Sequence, residues 1–339
     1  MKSVRRHYPV TMKAFLFSSA LLLSFSLSSC EQATTPHSSE TRGAPASTAR
    51  KAGAIAELSA WSTRGFQEDK DLSGMASWDG VHCLLCSDEL RVIQTGIISF
   101  ATITGGPLIT LLPGGGKEVD AEGVAVARSE GCYYVTGSHG VGKKSGEMQA
   151  SRCTVFRVPV NAATGEPSGG VDAGSLLPWV QGNSVLGASV GQSLQANGFN
   201  IEGLAHKSGK LWFGVRAPNL NGDAFVIEAV PSSLFGGSPQ ATLHRLQVGP
   251  GLGIREIAAL KDGFLVLTGA APSDVGSDAS FALFFWNPAG GARFIGELPN
   301  PSAKAEGLYI LDDAADHVDV LVIFDGASGG APKAYRVAR

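Results

Sequence analysis

A short unit recurs along this 339-residue chain: a polar residue, one spacer, then Glu-Gly and an apolar run. It reads Asp120-Ala121-Glu122-Gly123-Val124-Ala125, then Asn200-Ile201-Glu202-Gly203-Leu204-Ala205, then Lys304-Ala305-Glu306-Gly307-Leu308-Tyr309. Arg255-Glu256-Ile257-Ala258 is a looser copy and Ser73-Gly74-Met75-Ala76 a degenerate one. With Glu256 taken as the glutamate of the looser copy, the Glu-to-Glu steps are 80, 54 and 50, and Gly74 to Gly123 is 49. A period of roughly fifty residues restricts the chain to repeat architectures, in which each copy is one supersecondary unit stacked on its neighbours.

Between the copies, short apolar segments alternate with Gly, Asp, Ser and Pro, and no long amphipathic helix appears. Four strands are expected at 254–260, 263–268, 281–286 and 292–298, and four more at 201–206, 210–215, 224–230 and 242–248. Four-stranded units at this period specify an all-β fold, a β-propeller, which closes its sheet edges by radial repetition. Five blades are marked, and the 80-residue step leaves room for a degenerate sixth blade or an insertion. The last unit, at 307–311, 317–324 and 334–337, has only three strands. A segment near residues 61–72 is expected to complete it, so that N- and C-terminal strands close the ring.

The first residues are read as a leader rather than fold. Lys2, Arg5 and Arg6 precede an apolar stretch, residues 14–27, too short to span a bilayer as a stable helix. It ends in Leu27-Ser28-Ser29-Cys30, small residues directly before a cysteine, as in bacterial lipoproteins; an ordinary secretory signal with a chance cysteine is the alternative. The expected organisation is a signal peptide over 1–29, a lipidated Cys30 and flexible tether over 30–60, and the propeller over 61–339. Met12 would serve as a start with normal leader proportions. A multiply acylated Cys30 would hold the protein stably on the membrane. Glu31 after it points to the outer membrane if the source is Gram-negative, so the expected location is the cell envelope.

The whole chain carries a net charge of -3, and the leader contributes only basic groups, leaving the remainder mildly acidic. No basic run outside the leader offers a nucleic-acid footprint. A cation or a neutral small molecule is the natural ligand of such a surface. Nothing in the sequence specifies an oligomeric state. Of the remaining cysteines, Cys83 and Cys86 fall three apart on one strand and therefore on opposite faces. They are expected, with Cys132 and Cys153, to be small buried residues, with pairing across blades left open.

In a propeller the first strand of each blade starts on the face where the second strand ends. One rim should therefore collect Asp120, Glu122, Glu202, Arg255, Glu256 and Glu306 from strand starts, and Asp88, Glu89, Ser138, His139, Arg216, Thr268 and Asp325 from strand ends. Crowded carboxylates must be protonated, paired with arginine or bridged by a cation. Oxygen donors of this kind favour Ca²⁺ or Mg²⁺. The metal-ligand candidates are Glu122, Glu202, Glu306 and Asp120. The ligand-binding candidates are Arg216, Arg255, Asp88, Glu89 and Ser138, and His139 is the proton-shuttle candidate. The alternative for each Glu is structural, capping a backbone N–H of the next blade. Gly187-Ala188-Ser189-Val190-Gly191 matches the serine-hydrolase elbow by spacing, but sits in a Gly/Ser-rich stretch with no helix behind it. The expected function is small-ligand binding at an acidic channel mouth together with a divalent cation; the alternative is a metal-assisted phosphate- or carboxylic-ester hydrolase.

Several of these pieces carry a resemblance. Asp88-Glu89, Glu122-Gly123, Thr136-Gly137-Ser138-His139, Gly198-Phe199-Asn200-Ile201-Glu202-Gly203-Leu204, Gly214-Val215-Arg216-Ala217-Pro218 and Gly253-Ile254-Arg255-Glu256-Ile257 together resemble the bacterial family known as domain of unknown function 3616. The likeness runs from about residue 72 to 325. It departs at Val215, where a bulkier residue is common, and in the length of the insertion before Gly198. The resemblance implies a propeller-like domain and supplies no activity. The Glu-Gly-Leu repeats alone are more distantly similar to esterase-like phytase propeller domains.

Overall fold

A computed structural model describes residues 54–271 and 280–339. These form a β-propeller of five blades, numbered here I to V in chain order. Their innermost strands are Leu72–Ser77, Ala121–Ala127, Asn200–Lys207, Leu252–Leu260 and Lys304–Asp313. The second strands are His82–Ser87, Cys132–Gly137, Lys210–Leu220, Gly263–Ala270 and His317–Asp325, each antiparallel to the first. They are buried on both faces, which is why Phe264-Leu265-Val266-Leu267 reads as a continuous apolar run rather than an alternation. The outer strand Gly291–Glu297 alternates between exposed and partly buried residues over its first four positions, as a half-solvated strand should.

The core is divided among the gaps between blades. One apolar cluster fills each of the five gaps: Tyr133 and Phe156 between I and II, Phe199 and Phe213 between II and III, Trp212 and Phe264 between III and IV, Leu283 and Phe324 between IV and V, Leu85 and Ile323 between V and I. Trp212 and Phe264 lie 4.8 Å apart between ring centroids, the tightest aromatic pair. Cys83 packs in the V–I gap and Cys86 in the I–II gap, so the two do face opposite ways; all four cysteines of the described residues are free and buried.

One open alternative is resolved and one expectation is corrected. The 80-residue step holds an insertion and no sixth blade: after Asp172–Gly174, the outer strand of blade II, the chain forms the short helix Leu177–Gly182 and two 3₁₀ turns. The helix sends Val180 into the II–III gap. The ring is closed by Ile55–Ala60, which pairs with Lys333–Ala338 and falls inside the stretch read as tether. Beyond Ile55 its residues are exposed, so it offers no apolar period by which a sequence would betray it. Residues 61–72 instead contribute Ser62–Arg64, which adds in parallel to the outer edge of blade I against Thr102, Ile103 and Thr104.

Candidate functional site

The recurring unit is a β-bulge. In all five innermost strands the pairing slips by one residue at the repeat: between Leu72 and Gly74, Ala121 and Gly123, Ile201 and Gly203, Ile254 and Glu256, and Ala305 and Gly307. The residues left over are Ser73, Glu122, Glu202, Arg255 and Glu306. A bulge gives one residue no cross-strand partner and re-aims its side chain, a device common beside functional sites. The blade IV counterpart of the glutamates is thus Arg255 and not Glu256, a shift of one from the alignment by letter.

The glycine that follows has a steric reason. A Cβ on Gly203 would stand 2.9 Å from the Ile257 nitrogen and 3.0 Å from the Glu256 Cα. On Gly123 it would meet Leu204 Cβ at 2.8 Å. The innermost strand of each of these blades presses its backbone against the next, and only glycine permits that approach. Glu256 serves as the inter-blade seal considered from sequence: its buried carboxylate accepts from the N–H of Leu204 in blade III at 2.9 Å and from its neighbour Ile257 at 2.8 Å.

Strand starts and second-strand ends share one rim. Asp88, Glu89, Asp120, Glu122, Asn200, Glu202, Arg216, Lys304, Glu306 and Asp325 line a cavity of about 140 Å³, walled further by Val141, Lys143, Arg152 and residues 193–195. Space of this size holds several waters or one small ligand group. Arginines brace its acids, Arg152 and Arg216 from the wall and Arg255 from behind it. Arg255 is 3% exposed, with Nε 2.9 Å from Glu202 Oε2 and an Nη in short contact with Glu306. Arg216 Nη1 donates to Glu202 Oε1 at 2.6 Å. Arg152 pairs with Asp120 and, at 2.7 Å, with Glu118; Lys304 Nζ lies 2.8 Å from Asp325.

Glu122 is the exception. It is buried in the wall, and among the described residues no hydrogen bond or ion pair holds its carboxylate. Burial, then Asp120 and Glu202, push its pKa well above the ordinary carboxylate range. Burial and the nearby Glu306 and Asp120 raise Asp88 to about 8, and its Oδ1 has no hydrogen-bond partner among the described residues. Burial also raises Glu306, against the pull of Arg255. Asp71, beside Asp325, rises to about 6, with burial again the larger cause. Because the folded pKa of Asp88 exceeds its unfolded value near 4, the folded chain holds a proton the unfolded chain releases. That stabilisation is complete below about pH 4 and lost as pH climbs through about 8. Without ligand, the melting temperature should therefore fall from pH 5 to pH 9, and Asp88→Asn should flatten the slope in a thermal scan.

The remaining candidates divide. Ser138 and His139 are fully buried behind the mouth and do not line it. His139 Nδ1 lies 2.9 Å from the Gly137 carbonyl, which only accepts, so Nδ1 carries the proton. Burial lowers its pKa to about 4, leaving a neutral ring enclosed under the loop that carries Arg152, whose carbonyl accepts from the His139 N–H. The proton-shuttle candidate His139 thus lies behind the cavity lining. Thr268 is buried and donates to the Ala282 carbonyl. Ser189 sits in the 3₁₀ turn Gly187–Ser189, with no strand-turn-helix elbow. Glu202 and Glu306 are turned to arginines, and among the described residues no three His, Cys, Asp or Glu side chains are grouped so as to hold a metal ion. Cys30 and the leader lie outside the described residues.

Arg152 and Lys143 are wall residues that the sequence reading missed. Both belong to the long connection, residues 138–154, after the second strand of blade II. Lys304 was visible as the polar head of its repeat.

Fold and site together define a five-bladed β-propeller with an arginine-braced acidic mouth. Residues 172–336, from the outer strand of blade II through blade V, match the family described as Protein of unknown function (DUF3616), a span that includes the pieces at 198–204, 214–218 and 253–257 on which the resemblance rested and not those before residue 172. No curated protein matches the chain. Among solved structures it is similar to a GH43 endo-arabinanase from Bacillus licheniformis, with 10% identity over 82% of this chain and 96% of the other and a TM-score of 0.44. It is likewise similar to virginiamycin B lyase from Staphylococcus aureus, at 11% identity, 84% and 98% coverage and a TM-score of 0.37. At such identities and superpositions these likenesses say nothing about activity.

Proposed function

We propose that this protein is a lipid-anchored propeller of the cell envelope whose acidic mouth binds a small positively charged ligand, either a divalent cation or a compact molecule bearing an ammonium or guanidinium group. One observation carries the reading. Glu202, Glu306, Asp120 and Asp325 each have a cationic partner, whereas Glu122 lines the same cavity with none among the described residues. A buried carboxylate without a partner costs several kcal/mol if ionised, so it takes up either a proton or a cation. Asp88 and Asn200 add to the same wall buried oxygens that have no hydrogen-bond partner among the described residues. Ester hydrolysis would need a metal held by Glu122, Glu202 and Glu306 and a proton relay through His139. The arginine pairing of two of these acids and the enclosure of His139 favour binding over hydrolysis.

Protons and the ligand compete for the same oxygens. Affinity for a cation should therefore rise from pH 6 to pH 8.5, the range over which Asp88 loses its proton. Glu122→Gln removes the charge and keeps the shape, and should weaken binding roughly tenfold or more, the worth of a charge-assisted contact. Calcium and magnesium chloride against small ammonium compounds in calorimetry separate the two ligand sources. Unchanged affinity in Glu122→Gln would place the ligand elsewhere.

A further inference from the structure

The propeller has a second face, and its exposed apolar residues gather at one point there. Each innermost strand starts at the mouth, so the opposite face holds the far ends of those strands, the turns from first to second strands and the hairpin tips between third and fourth strands. In blade I, Val92–Ser99 runs to that face and Thr102–Thr110 returns from it. Ser99 pairs with Thr102, leaving Phe100 and Ala101 as a two-residue turn. Phe100 is 97% exposed and sits at φ +53. The first position of such a turn favours glycine, and an aromatic there costs backbone strain while burying nothing. Ile97, 42% exposed, and Val81, 45% exposed, lie beside it: the Ile98 N–H donates to the Val81 carbonyl at 2.7 Å.

The chain enters the propeller on this same face. Ile55–Ala60 is antiparallel to Lys333–Ala338, which itself runs from the mouth side to the far side, so Ile55 lies at the far end and Ala60 toward the mouth. Only 24 residues separate Cys30 from Ile55 in the sequence. Fully extended, they reach about 80 Å at most. Ile55, the residue nearest Cys30 in the closing strand, thus lies on the side on which Phe100 protrudes.

We infer that this face lies against the bilayer, with Phe100 and its neighbours Ile97 and Val81 seated at the lipid interface and the acidic mouth turned away from the membrane. The inference rests on the lipid anchorage proposed above. An exposed aromatic flanked by aliphatic side chains suits the headgroup–acyl boundary, where it gains burial that water denies it.

The test uses the full chain on vesicles of phosphatidylethanolamine and phosphatidylglycerol, with a polarity-sensitive fluorophore on Phe100→Cys or, as control, on Gly115→Cys. Gly115 lies in the mouth-side connection after Thr102–Thr110, and a side chain there meets nothing within 4 Å. The four native cysteines of the described residues are buried, which directs the label to the new thiol. The expected result is a blue shift and quenching by lipid-borne quencher at residue 100, and an aqueous spectrum at residue 115. A water-exposed label at 100 on membrane-bound protein overturns the inference, as does a lipid-embedded label at 115. A shift at 100 that grows with protein concentration without vesicles also overturns it, by assigning the knuckle to a second copy of the chain. Mass analysis of the Cys30 peptide reads the anchorage separately: an unmodified Cys30 defeats the anchorage itself, whereas a lipidated Cys30 with an aqueous label at 100 defeats only the orientation.

Discussion

Arg255→Met should destabilise the domain by ~3–5 kcal/mol at pH 7, the usual cost of leaving buried charges without their partner. Arg255 is 3% exposed and touches two carboxylates, Glu202 and Glu306, from the blades on either side of its own. Glu202 keeps Arg216, but Glu306 loses the only ion-pair partner it has among the described residues. The two acids also repel each other. Methionine preserves most of the volume, so the loss reports charge rather than a cavity. Protonation relieves it: the deficit should shrink toward pH 5 in urea unfolding followed by circular dichroism. A deficit below about 1 kcal/mol at pH 7, as for exposed pairs, would mean that Arg255 does not hold the ring together.

Gly203→Ala should be the second severe change. The new methyl group would meet backbone atoms of blade IV at 2.9 and 3.0 Å, and backbone cannot rotate away. Overpacking of this kind costs typically ~1–3 kcal/mol, and here it wedges two blades apart beside Glu202. Gly115→Ala, which meets nothing within 4 Å, should stay within about 0.5 kcal/mol of the parent protein. Equal stabilities for the two variants would contradict the close blade contact.

The propeller was legible because each blade repeats a physical requirement. Glycine must follow the bulge where neighbouring backbones touch, and second strands buried on both faces must be apolar throughout. Where the requirement lapses, the letters mislead. Arg255-Glu256 contains a glutamate, so alignment by letter set Glu256 beside Glu202; the slip in pairing between Ile254 and Glu256 puts Arg255 there instead. That one-residue shift changes the chemistry of the ring, since a cation replaces an acid between Glu202 and Glu306. The closing strand Ile55–Ala60 escaped notice because a mostly exposed outer strand needs no apolar pattern.

The site was legible by address and less so by role. Chain direction alone brought Asp88, Glu122, Glu202, Arg216, Glu306 and Asp325 to one cavity. Which acids find partners depends on side-chain reach across blades, as when Arg255 spans from blade IV to both III and V. His139 belongs to the right strand end, but the connection carrying Arg152 folds over it, and long-range packing of a non-repeating loop leaves no local trace. The same connection supplies the wall cations Arg152 and Lys143.

The central claim, that the unpaired Glu122 makes the mouth a cation-binding site, is tested most directly by calorimetric titration of the wild-type protein and Glu122→Gln at pH 6 and pH 8.5. The titrants are calcium chloride, magnesium chloride and small ammonium compounds. The account predicts saturable binding of at least one of these to the wild-type protein, tighter at pH 8.5, and weakened roughly tenfold or more in a Glu122→Gln variant that retains its near-ultraviolet circular dichroism. Absence of binding by every titrant, or binding that Glu122→Gln leaves unchanged, would contradict it.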